Sequence, residues 1–149
     1  MGRLCWDAGR SLVADRPSKD RFSQHTNILA ILSDAIPLDR QSAALDRVLA
    51  AGMPSVREST AEPGSPQQRL ARASYYFRFY LARALEKLGR GDEYLPQLEP
   101  WREMLDLGLS TWAETPDLAS RSDCHAWSAH PNYDLLTIVA GIKPGSPGF

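Results

Sequence analysis

The feature that most constrains the fold of this chain is a regular alternation between two kinds of helical segment. In one kind the apolar residues lie on a single face, as in a helix that covers one side of a core. These one-sided segments are residues 3–14, 39–52 and 92–107. In the other kind the apolar residues cover most of the circumference, which predicts a helix with neighbours on several sides. These broadly apolar segments are residues 23–35, 68–88 and 132–140.

The order of the two kinds predicts an all-α fold of three helical hairpins. Short links follow the broadly apolar helices and long polar loops precede them, so the long loops should share one rim of the molecule. Ser23 and Asp39 suit helix N-caps, and Gly52 suits the position just after a helix C-terminus. An inner and an outer layer of this kind are typical of a helical toroid, although an ordinary helical bundle fits the same periodicity.

Composition sets the class of protein. The chain has 149 residues, 43% of them apolar, which is enough for the core of one domain. Lys and Arg number 17 against 18 Asp and Glu, so the basic excess typical of nucleic-acid or membrane-surface proteins is missing. Apolar runs are too short to span a bilayer. The two cysteines have no zinc-ligand spacing, and neither a metal nor another cofactor is expected.

The third rim loop carries the richest set of reactive side chains. Residues 108–130 concentrate indoles, imidazoles and carboxyl groups, among them Trp112, Trp127, His125, His130, Glu114 and Asp123. Indole faces pack on the C–H faces of sugars while polar groups take the hydroxyls. Each tryptophan alone would more often be a loop anchor, but the whole cluster favours a carbohydrate site. At the start of the 23–35 helix, Gln24 and His25 either border the same ligand or simply pack.

Two other constellations in this loop are coincidences of composition. Ser122, Asp123 and His125 are the residue types of a hydrolytic triad, but triads are assembled from distant segments. Cys124 beside His125 lacks the spacing and the further ligands of a metal site.

Several stretches together resemble the bacterial α-L-rhamnosidases of glycoside hydrolase family 78. The resemblance is carried by Ala73–Tyr80 (ASYYFRFY), Trp101 with Met104–Glu114 (MLDLGLSTWAE), Arg121–Pro131 (RSDCHAWSAHP), Ser23–Asn27 (SQHTN) and the exit from Val139 to Phe149. It covers essentially the whole chain and is densest from residue 73 onward. A Thr-x-x-Glu loop followed by a His-x-Trp loop is its most specific part.

This resemblance implies both a fold and a chemistry. Residues 1–149 would be the C-terminal part of a six-hairpin glycosidase catalytic domain, and their three hairpins would form about half of an (α/α)6 toroid. The family inverts the anomeric centre with two glutamates. Glu114 matches the general base, and His125 matches a histidine that contacts the sugar. Trp112, Trp127 and Asp123 would line the pocket, with Gln24 and His25 at its border.

The general acid of this family comes from an earlier hairpin, so the resemblance implies that the remainder of the same polypeptide supplies it. The expected substrate is a rhamnose-containing glycoside. Two other functions remain open. One is a different six-hairpin glycosidase or lyase with another sugar specificity, and the other is a helical module that binds sugar or protein without catalysis.

Overall fold

The computed structural model describes residues 2–55, 70–119 and 121–146, and it is mostly helical with two small sheets. The α-helices are α1 (Gly2–Cys5), α2 (Gln24–Leu32), α3 (Leu38–Ala50), α4 (Arg78–Lys87), α5 (Glu99–Asp106) and α6 (Pro131–Asp134). A π-helical turn, Leu135–Val139, continues α6, and 3-10 turns cover Gly91–Glu93, Leu95–Leu98 and Ala126–Ala129. The strands are β1 (Trp6–Asp7), β2 (Leu12–Val13), β3 (Phe22–Ser23) and β4 (Leu70–Ala71).

The prediction of a first helix over residues 3–14 is wrong beyond Cys5. Strands β1 and β2 pair antiparallel instead, and the turn between them holds Ser11 in the left-handed region at φ 54°. The side-chain amide of Asn27 replaces a strand partner, because it accepts from the Val13 N–H at 2.8 Å and donates to the Val13 carbonyl at 3.0 Å. These two bonds satisfy the backbone of β2 in a way that helical periodicity cannot reveal.

Helices α2 and α3 lie close to their predicted positions. The Ser23 hydroxyl accepts a hydrogen bond from the Thr26 N–H and caps α2 as expected. For α3 the N-cap is Pro37, so Asp39 lies inside the first turn, where its charge favours the helix dipole. Gly52 follows the C-cap of α3 at φ 68°, a conformation that favours glycine.

Helix α4 begins at Arg78 rather than near residue 68. Residues 68 and 69 lie outside the described residues, and Leu70–Ala71 form β4, which pairs in parallel with β3. The next residues turn inward, because the Ala73 N–H donates to the buried Gln24 side chain at 2.7 Å. The late start of α4 therefore has a tertiary cause.

The C-terminal helices occupy the predicted ranges but differ in burial. Helix α5 follows two 3-10 turns and buries Trp101 and Met104. The prediction that the last helix is buried around most of its girth is wrong, because Leu135, Leu136 and Val139 are exposed while Asp134 and Thr137 are buried. No helix in the described ranges is long and apolar enough to cross a bilayer.

A polar junction joins α2, α3 and α4. The fully buried Gln24 side chain donates to the Val48 and Gly52 carbonyls and accepts from the Ala73 N–H and the Arg78 guanidinium. Arg78 also donates to the Gly52 carbonyl at 2.6 Å. Burial lowers the pKa of Arg78 to about 9, so the guanidinium remains charged at neutral pH. This cation depends on oxygen acceptors around it, since an unpaired buried charge is costly.

A second junction fixes the last helix. The Asp134 carboxylate is fully buried and is bound by Arg83, by His130 Nδ1 at 2.8 Å and by the Tyr94 hydroxyl at 3.2 Å. Burial, followed by the charge of Asp134, raises the pKa of Tyr94, so this phenol stays protonated and donates. The Asp134 partners come from α4, the residue after the 91–93 turn and the residue before α6.

Replacement of Gln24 by leucine tests the first junction. Gln24→Leu should lower the free energy of unfolding by roughly 2–4 kcal/mol, because it leaves buried donors and acceptors without partners. Gln97→Leu is the matched control. Its half-buried amide oxygen contacts Arg78 only at 3.5 Å, so the loss should stay below about 1 kcal/mol. Urea unfolding followed by circular dichroism measures both, and equal losses would contradict a special role for Gln24.

Candidate functional site

Backbone pairing folds the third rim loop back on itself. The His125 N–H donates to the Trp112 carbonyl at 2.8 Å, and the Glu114 N–H donates to the Ser122 carbonyl at 2.9 Å. The Thr111 hydroxyl donates to the Asp123 carbonyl across the same gap. Glu114 is two residues from Trp112, and two extended residues span at most about 7 Å. The pairing therefore brings the backbones of Glu114, Asp123 and His125 together on one short segment.

The base of this loop is anchored in a small apolar cluster. Trp112 packs against a group of buried residues that comprises Tyr75, Trp101, Met104 and Ala113. The Trp101 indole N–H donates to the Ser128 carbonyl at 2.8 Å, which ties the second arm of the loop to α5. Trp112 thus acts largely as a loop anchor, which was the other role that the sequence allowed for it. Glu114 lies at the surface just beyond this anchor.

Two carboxylates of the loop, Glu114 and Asp123, differ in their partners. Asp123 is exposed but forms an ion pair at 2.5 Å with Arg121, whose own side chain is almost fully buried. Glu114 is exposed, and within the described part of the chain its carboxylate makes no hydrogen bond or ion pair. Of these two, Glu114 is consequently the carboxylate that is open to a ligand or to water.

A continuous row of aromatic rings connects the loop to the start of α2. We call it the aromatic row, and its members in spatial order are His125, Trp127, Tyr76, Tyr80, Phe77 and His25. Successive ring centroids lie 5.6, 4.9, 6.3, 4.9 and 4.3 Å apart. Trp127 is 64% exposed and Tyr76 is 38% exposed, so two adjoining rings offer surface to a ligand. Three of the sequence-predicted site residues, His25, His125 and Trp127, are members of this row.

Gln24 does not share this surface. Its side chain is fully buried, and both ends of the amide are bonded to protein. The expectation that Gln24 borders a ligand is replaced by a structural role, because a side chain with all its hydrogen-bonding positions occupied has none left for a sugar. His25, its neighbour, points to the aromatic row and contacts Phe77.

His130 is also a structural residue rather than a surface one. Its Nδ1 bonds to the Asp134 carboxylate and its Nε2 lies 3.1 Å from the Tyr75 carbonyl. Because Tyr76 is the next residue, this contact helps to place the exposed ring beside Trp127. From the sequence, Tyr76 belonged to the broadly apolar segment 68–88 and was expected to pack against neighbouring helices. Its position in the aromatic row was not predicted. The i, i+4 spacing of Tyr76 and Tyr80 was the available signal.

The described residues contain no group of three or more His, Cys, Asp or Glu side chains that could hold a metal ion. The side chains available to a ligand at this site are the Glu114 carboxylate, the imidazoles of His25 and His125, and the exposed rings of Trp127 and Tyr76.

Comparisons with known proteins leave the family open. No family model matches the chain, and no curated protein matches it significantly.

The pH dependence of stability provides a test of the His25 environment. Burial lowers the pKa of His25, an effect that nearby Arg78 adds to and Asp15 opposes. The unfolded chain should therefore bind more protons just below about pH 6.5, and the free energy of unfolding should fall as the pH decreases from there towards the folded pKa.

We expect His25→Gln to flatten this decline, since the variant has no imidazole to protonate. His125→Gln is the control because it removes a histidine from the other end of the aromatic row. Urea midpoints between pH 7.5 and pH 5.5 report the slopes, and an unchanged slope in His25→Gln would assign the decline to other groups.

Proposed function

We propose that this chain forms the general-base side of the sugar site of an inverting glycoside hydrolase that cleaves terminal α-L-rhamnose. The observation that carries the proposal is an open, exposed Glu114 on a loop whose other arm leads into an exposed aromatic surface. The resemblance of Thr111–Glu114 and of His125–Trp127 to family 78 rhamnosidases supports the choice of sugar.

The aromatic row supplies the binding surface in this proposal. Trp127 and Tyr76 offer ring faces on which the C–H face of a sugar packs, as aromatic side chains commonly do with apolar ligand surfaces. His125 lies beside Trp127 and can exchange hydrogen bonds with sugar hydroxyls through its ring nitrogens. Asp123 adds an acceptor at the rim, where Arg121 holds its carboxylate in place.

Glu114 has the role of general base. Its carboxylate accepts a proton from a water molecule, and the oxygen of that water attacks the anomeric carbon from the face opposite the leaving group. A second carboxyl group, about 6.5–9.5 Å from the first, protonates the leaving oxygen. In the rhamnosidases that the chain resembles, this acid comes from an earlier hairpin. We therefore assign the acid to another part of the polypeptide.

The architecture we propose is a set of three hairpins that make about half of an (α/α)6 toroid. Helix α2 packs against both α3 and α4, as an inner helix should. The exposed apolar side chains of the last helix lie where half of a toroid would pack against the remaining hairpins. Another six-hairpin glycosidase or lyase would use the same scaffold with a different pocket.

A second candidate function is sugar binding without catalysis. The exposed ring pair of Trp127 and Tyr76 favours it, because such a surface can hold a sugar without help from Glu114. Removal of the Glu114 charge separates the two functions. Sugar binding should survive it in either case, whereas only a hydrolase has a turnover for it to reduce.

Binding of L-rhamnose to the chain should depend on the aromatic row. Titration followed by tryptophan fluorescence and by calorimetry should show saturable binding, and Trp127→Ala should weaken it by about tenfold or more, near 1.4 kcal/mol. Tyr133→Ala is the matched control, since Tyr133 is a half-exposed aromatic outside the row. Equal binding by the wild type and Trp127→Ala would place the sugar elsewhere. Preference for another sugar over L-rhamnose would favour the alternative specificity.

Hydrolysis should require more than these 149 residues. The chain alone should not cleave an aryl α-L-rhamnoside at a useful rate, because general-acid catalysis contributes about 10²–10⁴-fold. In a polypeptide that also carries the acid hairpin, Glu114→Gln should keep sugar binding and reduce turnover by a similar factor. Azide should then restore turnover in part and give a glycosyl azide of inverted configuration. Wild-type turnover in Glu114→Gln would exclude Glu114 as the base.

A further inference from the structure

A pocket of about 250 Å³ lies between the end of α3 and the start of α5. Its walls are mainly aliphatic and are formed by Leu49, Met53, Pro96 and Pro100. The pocket shares no residue with the aromatic row or with the loop of residues 108–130. It is therefore a separate feature from the candidate sugar site.

Two carboxylates of α5 line this pocket at different depths. Glu103 is only 5% exposed, whereas the side chain of Glu99 is 60% exposed. They are four residues apart, so they share one face of the helix and are separated by about 6 Å along its axis. Glu99 also pairs with Arg102 at 3.3 Å, but such exposed ion pairs contribute little. Two like charges at this spacing repel each other, and the pocket therefore favours positive charge.

The buried carboxylate of Glu103 is incompletely satisfied. Its two oxygens lie 2.6 and 2.8 Å from the same hydroxyl, that of Ser55. A hydroxyl has one proton to donate, so one of the two oxygens receives no hydrogen bond from the described residues. Glu103 also forms no ion pair within the described part of the chain. A buried charge of this kind is costly unless it is paired, and a bound cation would pair it.

The arginines near the pocket are bonded to other acceptors. Arg78 donates to the Gly52 carbonyl at 2.6 Å, and Arg72 donates to the Met53 carbonyl at 3.0 Å. Gly52 and Met53 line the pocket, but within the described residues no Lys, Arg or His does. The carboxylates of the pocket therefore face no cation of the chain itself.

We propose that this pocket binds a short aliphatic diamine. One ammonium group pairs with Glu103 at the buried end and donates to the oxygen that Ser55 does not reach. The methylene chain packs on the aliphatic walls, and the second ammonium group meets Glu99 at the open end. A chain of four methylene groups separates two ammonium groups by a distance close to the ~6 Å between the two carboxylate positions. A metal ion fits less well, since hard cations require more oxygen ligands than two carboxylates offer.

An NMR titration of the nitrogen-15-labelled chain with 1,4-diaminobutane, at pH 7 and low ionic strength, tests the proposal. The backbone amide signals of Gly52, Met53 and Gln97 should shift saturably. n-Butylamine, which has one ammonium group, should bind about two- to fivefold more weakly, because the exposed pair with Glu99 adds only a modest amount. 1-Butanol has the same chain without the charge, and it should cause no saturable shift at these signals.

Two variants assign the ends of the diamine. Glu103→Gln should weaken its binding by about tenfold or more, because the buried charge is removed. Glu99→Gln should lower the affinity for the diamine to that for n-butylamine. Asp92→Asn is the matched control, since it removes one negative charge from an exposed position outside the pocket, and it should bind the diamine as the wild type does.

Circular dichroism establishes that each variant is folded. If Glu103→Gln does not fold, Glu99→Gln decides alone, and an unchanged diamine affinity in this variant would overturn the proposal. So would the absence of saturable shifts at the pocket, or equal binding by the wild type and folded Glu103→Gln. Binding of 1-butanol as tight as that of the diamine would show selection for the chain rather than the charge, and would overturn it too. None of these measurements involves the sugar site, so their outcome is independent of the proposed function.

Discussion

The structure depends first on the buried amide of Gln24. Its four hydrogen bonds reach the last turn of α3, Gly52 just beyond that helix, the backbone ahead of α4 and the guanidinium of Arg78. Three helices therefore meet at one buried amide. Its hydrogen bonds fix the direction of each contact, whereas the apolar packing around it is not directional. The Arg78 charge can stay buried only because carbonyl and amide oxygens surround it. A small shift of any one helix would leave several buried groups unsatisfied at once.

The Asp134 cluster has the corresponding role on the other side of α4. It orients the last helix against its own hydrophobic pattern, with leucines outward and a carboxylate inward. His130 carries this constraint further, because the same imidazole that bonds to Asp134 also contacts the Tyr75 carbonyl. The position of the neighbouring Tyr76 ring beside Trp127 thus depends on the buried Asp134 cluster. Packing and the candidate site are linked through one histidine.

The candidate site was partly readable from sequence. The loop with Glu114, Asp123, His125 and Trp127 was identified because unusual side chains are concentrated there, and the structure pairs its two arms. His25 was named from its place at a helix start, and its ring contacts Phe77 in the aromatic row. Tyr76 was not found, because a tyrosine inside an apolar segment looks like core until the helix is known to begin at Arg78. For Gln24 the sequence left a ligand contact and packing open, because a polar residue at a helix start suits either, and the structure shows it packed.

Sequence alone determined the mostly helical class, the positions of α2, α3 and α5, and the range of the last helix. Local rules suffice there, because caps, glycines and 3.6-residue periodicity act within a few residues of one another. Tertiary structure decided the strands near the N-terminus, the late start of α4 and the outward face of the last helix. In each case a buried side chain from a distant segment overrode local preference: Asn27 for β2, Gln24 for the entry to α4, and Arg83 with Tyr94 for Asp134. Hydrogen bonds over such separations depend on three-dimensional proximity, which no periodicity records.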